Sequence, residues 1–178
     1  MMDYKRFIEY ISFAAVAHQE KVLPAAKALR TFPSGEKTPY FMHSLWCANM
    51  LWLDSDLPES IRYPGAQALL FHDILEDTSA SLPNDISYEV KYLVQEMTYK
   101  GGFNEEKTAV LTKPPIVQLL KLYDKTATLY DGDMKPGRVY EWTEFMLKLI
   151  NVVEREYGTL NIVLLARELI KKYRASIQ

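Results

Sequence analysis

The segment Phe71–Thr78 reads FHDILEDT and concentrates one imidazole and three carboxylates within a few residues. In a helix, Glu76 would follow His72 by four residues, and Asp77 would follow Asp73 by four residues. Side chains at this spacing share a helix face, so all four groups are expected to point into one cavity. Ionised carboxylates are rarely buried without a partner or a metal. The pattern therefore predicts a divalent metal ion beside this segment.

These polar groups interrupt an apolar run from Ala66 to Leu75, and no Lys or Arg occurs between Ala66 and Asp77. Without a nearby cation, crowded carboxylates repel one another unless a metal ion or a shared proton lies between them. We therefore expect a helix from Gly65 or Ala66 to about Glu76 that carries the metal site.

The rest of the chain is typical of helices joined by short loops. Apolar residues recur at helical spacing, and no alternation of Val, Ile and Thr bounded by turns predicts a strand. The fold class is therefore expected to be all-α, with residues 30–38 and Asp131-Gly132-Asp133 as loops. The expected helices cover 4–29 with a kink or break at Pro24, 40–53 with Pro39 in the first turn, about 65–76, a segment capped by Asp85 or Ser87 and ended by Gly101-Gly102, 104–111, a segment opened by Pro114-Pro115, 139–157 and 159–175.

Composition and charge narrow the class of protein. The 178 residues suit one domain, and 48% hydrophobic with 25% charged residues is ordinary for a soluble globular protein. The net charge of −2 gives no overall field for nucleic acid or an anionic membrane, so neither is expected as a partner. The single Cys47 fits a reducing compartment. With no signal-peptide pattern and no apolar run of about 18 residues, a cytoplasmic protein is expected.

Two more polar residues lie on faces that otherwise look buried: His43 within 40–46 and Asp124 at the end of 117–124. Taken singly, the His would more often be a hydrogen-bonded core residue and the Asp a helix cap or a solvated edge. The order His, His-Asp, Asp on three successive long helices is much harder to explain by packing. Mixed imidazole and carboxylate ligands suit Mn²⁺, Fe²⁺, Co²⁺ or Zn²⁺ better than Ca²⁺.

Three segments in this order resemble a known family: Thr38–His43, TPYFMH; Ala68–Thr78, ALLFHDILEDT; and Leu120–Lys125, LKLYDK. They resemble the HD-domain phosphohydrolases, most closely the (p)ppGpp hydrolase domain of RelA/SpoT-type enzymes and their small stand-alone homologues. The resemblance covers about Tyr4 to Tyr130. Its most specific part is the His-Asp-x-x-Glu-Asp element, and the Glu-Asp pair favours this branch over the 5′-deoxynucleotidases.

The resemblance implies a compact HD-domain helical bundle that forms a single domain over residues 1–178. Its metal-site core is expected at about 4–130 and its closing helices at about 139–175. It also implies that His43, His72, Asp73 and Asp124 bind one divalent metal ion. Mn²⁺ is the expected ion, with Fe²⁺, Co²⁺ and Zn²⁺ as alternatives.

Glu76 and Asp77 are the expected catalytic residues. Lying one turn from the ligands, they are suited to hold or deprotonate the attacking water, and one of them to protonate the leaving oxygen. The alternative interpretation is a charged helix end that faces solvent.

The resemblance further implies a small-molecule nucleotide substrate. The region after the first helix, 20–37, is longer than in the family, and Thr128 stands where the family usually has an Asn that contacts the nucleotide. A surface or packing role is the alternative for the Arg, Lys and Tyr residues among the expected contacts, and His18 is interpreted as structural. The expected substrate contacts are Arg30, Lys37, Tyr40, Lys121, Lys125 and Thr128.

Three hypotheses of function remain. The first is a Mn²⁺-dependent phosphohydrolase that releases pyrophosphate from a guanosine 3′-diphosphate nucleotide, (p)ppGpp or a relative. The second is an HD hydrolase of another nucleotide phosphoester, and the third is a nucleotide- or metal-binding helical module without turnover. Apolar residues of the final helices suit either the core or a homo-oligomer interface: Phe145, Leu149, Val152, Leu164 and Leu165.

Overall fold

The computed structural model describes residues 3–26, 28–32, 34–131 and 136–175. Helices dominate, and the expected all-α class is confirmed. Two short 3₁₀ turns, Val110–Thr112 and Pro136–Arg138, join longer elements. The elements are α1 Tyr4–Glu20, β1 Leu29–Thr31, β2 Lys37–Pro39, α2 Phe41–Leu53, α3 Glu59–Phe71, α4 Ile74–Asp77, α5 Tyr88–Met97, α6 Phe103–Ala109, α7 Pro115–Asp131, α8 Val139–Tyr157 and α9 Asn161–Ala175.

Side-chain caps fix where two of these helices begin. Asp3 accepts the backbone N–H of Arg6 at the start of α1, and Ser87 accepts that of Val90 at 3.2 Å at the start of α5. Such caps satisfy N–H groups that have no partner within the helix. Ser87 is thus the cap of α5, and the other candidate, Asp85, instead accepts the Tyr10 hydroxyl.

The central helix of the bundle is α7, which packs against α2, α3, α5, α8 and α9. Its residues from Val117 to Asp124 are all buried. A polar residue in this segment therefore lies in the interior, which is why Asp124 is buried among apolar neighbours.

No helix within the described ranges is both long enough and apolar enough to cross a bilayer.

The expected continuous helix across the HD motif was wrong. The chain leaves the helix after Phe71, turns at His72 and Asp73, and resumes as the single turn α4. The Leu69 carbonyl, which a continuing helix would bond to the Asp73 N–H, accepts the His72 Nδ1–H at 2.7 Å. A side chain that bonds to nearby backbone competes with the helix in this way.

The segment predicted as a loop over 30–38 contains a two-stranded antiparallel ribbon, so the expectation of no strand was wrong here. Arg30 pairs with Thr38, and Leu29 pairs with Pro39. Pro39 consequently ends β2 and does not open α2, contrary to the prediction. Gly35 closes the ribbon with φ of 85°, a conformation open to glycine because it lacks Cβ.

Several other predicted boundaries shift. The first helix ends at Glu20, before Pro24, and α5 ends at Met97, before the Gly101-Gly102 pair. Asp131 closes α7, whereas residues 132 and 133 of the expected loop lie outside the described residues. The long helices α8 and α9 lie close to where periodicity predicted them.

We predict that Gly65→Ala destabilises the fold by about 1–3 kcal/mol, the usual cost of overpacking a core. A Cβ at Gly65 would lie 2.6 Å from Leu51 Cδ2 and 3.0 Å from Leu120 Cδ2, because α3 meets α2 and α7 closely there. Urea unfolding measures the change. Gly137→Ala is the control, since nothing lies within 4 Å of its added Cβ. Equal stability of the two variants would contradict the close approach.

Candidate functional site

The four predicted ligands converge from separate elements. His43 comes from α2, His72 and Asp73 from the turn between α3 and α4, and Asp124 from α7, and all four are buried. The Asp124 Oδ1 lies 3.1 Å from His43 Nε2 and 3.7 Å from His72 Nε2. One ligand atom from each of His43, His72 and Asp73 lies within 4.8 Å of the other two. The structure thus contains a His/Asp cluster that could hold a metal ion.

The hydrogen bond from His72 to the Leu69 carbonyl fixes the tautomer of the imidazole. A carbonyl oxygen only accepts, so Nδ1 carries the proton and Nε2 of the neutral ring presents its lone pair. That lone pair lies 3.1 Å from Asp73 Oδ1, although the two atoms make no well-formed hydrogen bond. A ligating imidazole is commonly oriented by such a bond from its other nitrogen.

Three buried atoms of the cluster have no hydrogen-bond partner among the described residues: His43 Nδ1, His72 Nε2 and Asp73 Oδ2. Buried polar atoms are normally paired. A divalent cation beside His72 and Asp73 would give Nε2 and Oδ2 a partner at once. The donor set of two imidazoles and two carboxylates therefore fits the expected transition ion.

The two imidazoles differ in charge. Burial lowers the pKa of His43 to about 4, so this ring is neutral and able to act as a ligand. Burial also acts to lower the pKa of His72, but the charges of Asp73 and Asp124 outweigh it and raise this pKa to about 10. Without a metal ion, His72 therefore carries a second proton, on Nε2, and the lone pair of Nε2 becomes available only when that proton leaves. A metal ion bound there would take the place of the proton and supply the positive charge that the carboxylates favour.

An open cleft of about 230 Å³ begins at this cluster. Glu76 and Asp77, the predicted catalytic pair, line it together with Asp73 and Asp124. The Tyr99 backbone N–H donates to Glu76 Oε1 at 2.6 Å, which holds that carboxylate at the cleft wall. The alternative of a helix end that simply faces solvent does not describe Glu76, which is half-buried and bonded to another segment.

The pKa values of both carboxylates are raised. Burial raises the pKa of Asp77 to about 7, and the charges of Asp73 and Glu76 add to the effect. Burial also raises the pKa of Glu76, with Lys121 opposing the shift and Asp73 supporting it. Asp77 can therefore take up and return protons near neutral pH.

Two of the three predicted substrate lysines, Lys121 and Lys125, are largely enclosed and ion-paired, so the alternative of surface lysines was wrong for them. Lys121 Nζ lies 2.9 Å from Glu106 Oε1 and 3.0 Å from Asp124 Oδ2. Lys125 Nζ lies 2.7 Å from Glu106 Oε2 and 3.2 Å from Asp124 Oδ2. Both lysines line the cleft.

The remaining predicted contacts divide into two groups. Tyr40 and Thr128 line the cleft, and the Thr128 hydroxyl also bonds to the Asp124 carbonyl at 3.3 Å. Arg30 is buried behind Tyr40, where its guanidinium lies 5.3 Å from the ring centre and 2.6 Å from Asp131 Oδ2. Lys37 is exposed on β2. It lines neither this cleft nor the cavity beside Trp46 and Tyr130.

A second cavity, of about 260 Å³, lies beyond the Arg30–Asp131 pair. His43 and Arg30 contribute to its wall, and the stacked rings of Trp46 and Tyr130 form an aromatic side. Because His43 and Asp124 are in contact and border different cavities, the two spaces adjoin across the candidate metal centre.

Sequence reasoning missed Glu106, Tyr99 and the partner of Arg30. Glu106 lies in the polar run Asn104–Lys107, which looks solvent-exposed in the sequence, yet it is only 4% exposed. Tyr99 acts through its backbone, for which side-chain patterns give no signal. His18, interpreted as structural, is buried next to Tyr40 with both ring nitrogens unbonded within the described residues.

Comparison with known proteins finds similar folds among solved structures. The sequence matches no protein-family model, and no curated protein matches it. A solved structure described as a metazoan ortholog of SpoT that hydrolyzes ppGpp has a similar fold, with a TM-score of 0.73. The match covers 100% of this chain and 99% of that chain at 20% sequence identity. The likeness confirms the expected helical bundle.

We predict that Asp77→Asn raises the melting temperature of the chelator-treated protein at pH 8 but has little effect near pH 4. The folded-state pKa of about 7 lies above the ordinary value of 3.8, so stability falls as pH rises between these values and stays reduced above them. Asn removes this cost because it never ionises. Differential scanning fluorimetry at both pH values measures the change.

The exposed Asp56→Asn provides the control for this experiment. A gain for Asp77→Asn that was equal at pH 4 and pH 8 would show that its carboxylate does not carry the pH dependence.

Proposed function

We propose that this protein is a metal-dependent phosphohydrolase that releases pyrophosphate from a guanosine 3′-diphosphate nucleotide, (p)ppGpp or a related nucleotide. The observation that carries the proposal is the buried His/Asp cluster, whose Asp73 and Asp124 border a cleft that is also lined by Glu76, Asp77, Lys121 and Lys125. The similar fold of a solved structure described as hydrolyzing ppGpp supports the choice of nucleotide.

His43, His72, Asp73 and Asp124 would hold the metal ion, with Mn²⁺ the preferred ion. When bound, such an ion lowers the pKa of a water ligand and polarises a phosphoryl oxygen. Contacts within the chain already hold two of these side chains, because His72 is oriented by the Leu69 carbonyl and Asp124 by the two lysines.

Glu76 and Asp77 would handle the protons of the reaction. Glu76, held by the Tyr99 N–H, would orient the attacking water and accept a proton from it. Asp77, whose pKa of about 7 keeps part of the population protonated at neutral pH, would donate a proton to the leaving oxygen.

Lys121, Lys125, Tyr40 and Thr128 would contact the substrate from the cleft wall. The lysine ammonium groups would balance part of the phosphate charge. Arg30 would act from behind Tyr40, against which its guanidinium lies, and Lys37 would contact the substrate only from the exposed ribbon.

A second candidate, hydrolysis of another nucleotide phosphoester by the same centre, is favoured by the altered nucleotide wall. Thr128 replaces the family's Asn, and Arg30 is engaged with Asp131. These differences concern the nucleoside side of the cleft and leave the phosphoryl chemistry unchanged.

Assay of a nucleotide panel, with Mn²⁺ and with chelator, tests both candidates. We expect Mn²⁺-dependent release of pyrophosphate from ppGpp, and loss of both metal retention and turnover in Asp73→Ala. The exposed Asp56→Ala should behave as wild type. Release of phosphate from other nucleotides would favour the second candidate. If no nucleotide showed metal-stimulated release, both candidates would be refuted, and the hypothesis of a binding module without turnover would remain.

We also predict that Glu76→Gln keeps its metal but loses about 100-fold or more in kcat, the usual contribution of general acid–base catalysis. Gln can still accept the Tyr99 N–H through its amide oxygen, so the cleft wall is retained while the proton acceptor is lost. Metal content by elemental analysis and steady-state kinetics provide the two measurements. A rate near that of wild type would assign Glu76 a structural role.

A further inference from the structure

A buried carboxylate outside the proposed ligand set, that of Glu106, lines the cleft beside the candidate metal centre. Glu106 comes from α6 and is 4% exposed, although its neighbours on that helix are mostly polar. Its two oxygens contact two different ammonium groups, Oε1 with Lys121 at 2.9 Å and Oε2 with Lys125 at 2.7 Å. A buried charge costs free energy unless it is paired, so its place in the interior depends on these lysines.

The same two ammonium groups also contact Asp124, but through only one of its oxygens. Lys121 Nζ and Lys125 Nζ lie 3.0 and 3.2 Å from Oδ2, while Oδ1 faces the imidazole of His43. Two positive and two negative charges thus form a closed group. One carboxylate of the group, Asp124, is shared with the candidate metal centre, and the other, Glu106, is not.

Aromatic rings hold the ammonium groups from the sides. Lys121 Nζ lies 5.1 Å from the centre of the Tyr99 ring, and Lys125 Nζ lies 5.7 Å from that of Trp142. The same Tyr99 donates its backbone N–H to Glu76. The two lysines and the two carboxylates, Glu106 and Asp124, therefore form part of the cleft wall together.

We propose that Glu106 is a positioning residue that sets the charge balance of the cleft, an inference that rests on the proposed metal-dependent function. By sharing both lysines, Glu106 leaves Asp124 Oδ1 available to the metal ion. The same sharing limits the positive charge that the lysines offer to phosphate groups, so phosphate is held loosely enough to leave.

The signs of the charges determine how loss of Glu106 would change each affinity. Without the negative charge of Glu106, two ammonium groups would have only Asp124 as counter-ion and would leave an excess positive charge beside the metal centre. That excess positive charge repels a divalent cation and attracts an anion. Within a protein, each interaction energy is larger than a few tenths of a kcal/mol. Metal affinity and phosphate affinity should therefore change in opposite directions.

Binding measurements on the intact chain test the inference without reference to turnover. For Glu106→Gln we expect Mn²⁺ to bind about tenfold more weakly, equivalent to about 1.4 kcal/mol. Inorganic phosphate, added to protein saturated with Mn²⁺, should bind several-fold more tightly than to wild type. Isothermal titration calorimetry measures both, and general damage to the fold would instead weaken both.

Two further variants complete the design. Glu105→Gln, at the neighbouring exposed position, is the matched control and should leave both affinities unchanged. Lys125→Met removes one ammonium group and should act in the opposite sense, with phosphate binding weakened and Mn²⁺ bound at least as tightly. This variant carries the test if Glu106→Gln does not fold.

Unchanged Mn²⁺ and phosphate affinities in Glu106→Gln, or a loss of both, would overturn the proposed role of Glu106 while leaving the metal centre intact. Failure of the wild-type protein to bind Mn²⁺ would overturn the proposed function itself and this inference with it. The two failures are thus told apart by the wild-type titration.

Discussion

The interior of this protein is organised around one carboxylate, that of Asp124, which lies on the most enclosed helix of the bundle. One of its oxygens faces the imidazole of His43 on α2. The other faces the ammonium groups of Lys121 and Lys125, which lie on the same helix as Asp124. A charge in such a place is tolerated only where opposite charges surround it. This requirement explains why the two lysines, Glu106 and the imidazoles lie inside the protein.

This arrangement explains why polar residues on apolar faces were informative. The long helices have a strong apolar periodicity, and any polar residue that interrupts it must be capped, solvated or matched. His43 and Asp124 interrupt it at positions that the fold encloses, and for this reason the sequence predicted that they would lie with His72 and Asp73. The all-α class and the extents of α7, α8 and α9 were predictable from the same periodicity.

Other features were beyond the reach of the sequence, for identifiable physical reasons. The break at His72 arises from a side-chain bond to the Leu69 carbonyl, which no periodicity encodes. The ribbon at β1 and β2 is too short to show alternation. Glu106 looks like a solvated residue because its burial depends on two lysines from another helix, a long-range pairing that local composition does not reveal.

The bond between His72 and the Leu69 carbonyl also bears on the cost of ordering the site. It is made by the chain alone, and so are the ion pairs that hold Asp124, which means that these side chains lose their freedom when the protein folds. An ion that bound the proposed site would therefore require little further ordering of these two side chains. We therefore expect that a metal ion can be removed and rebound while the protein stays folded. In zinc fingers, by contrast, the chain folds only when the metal binds.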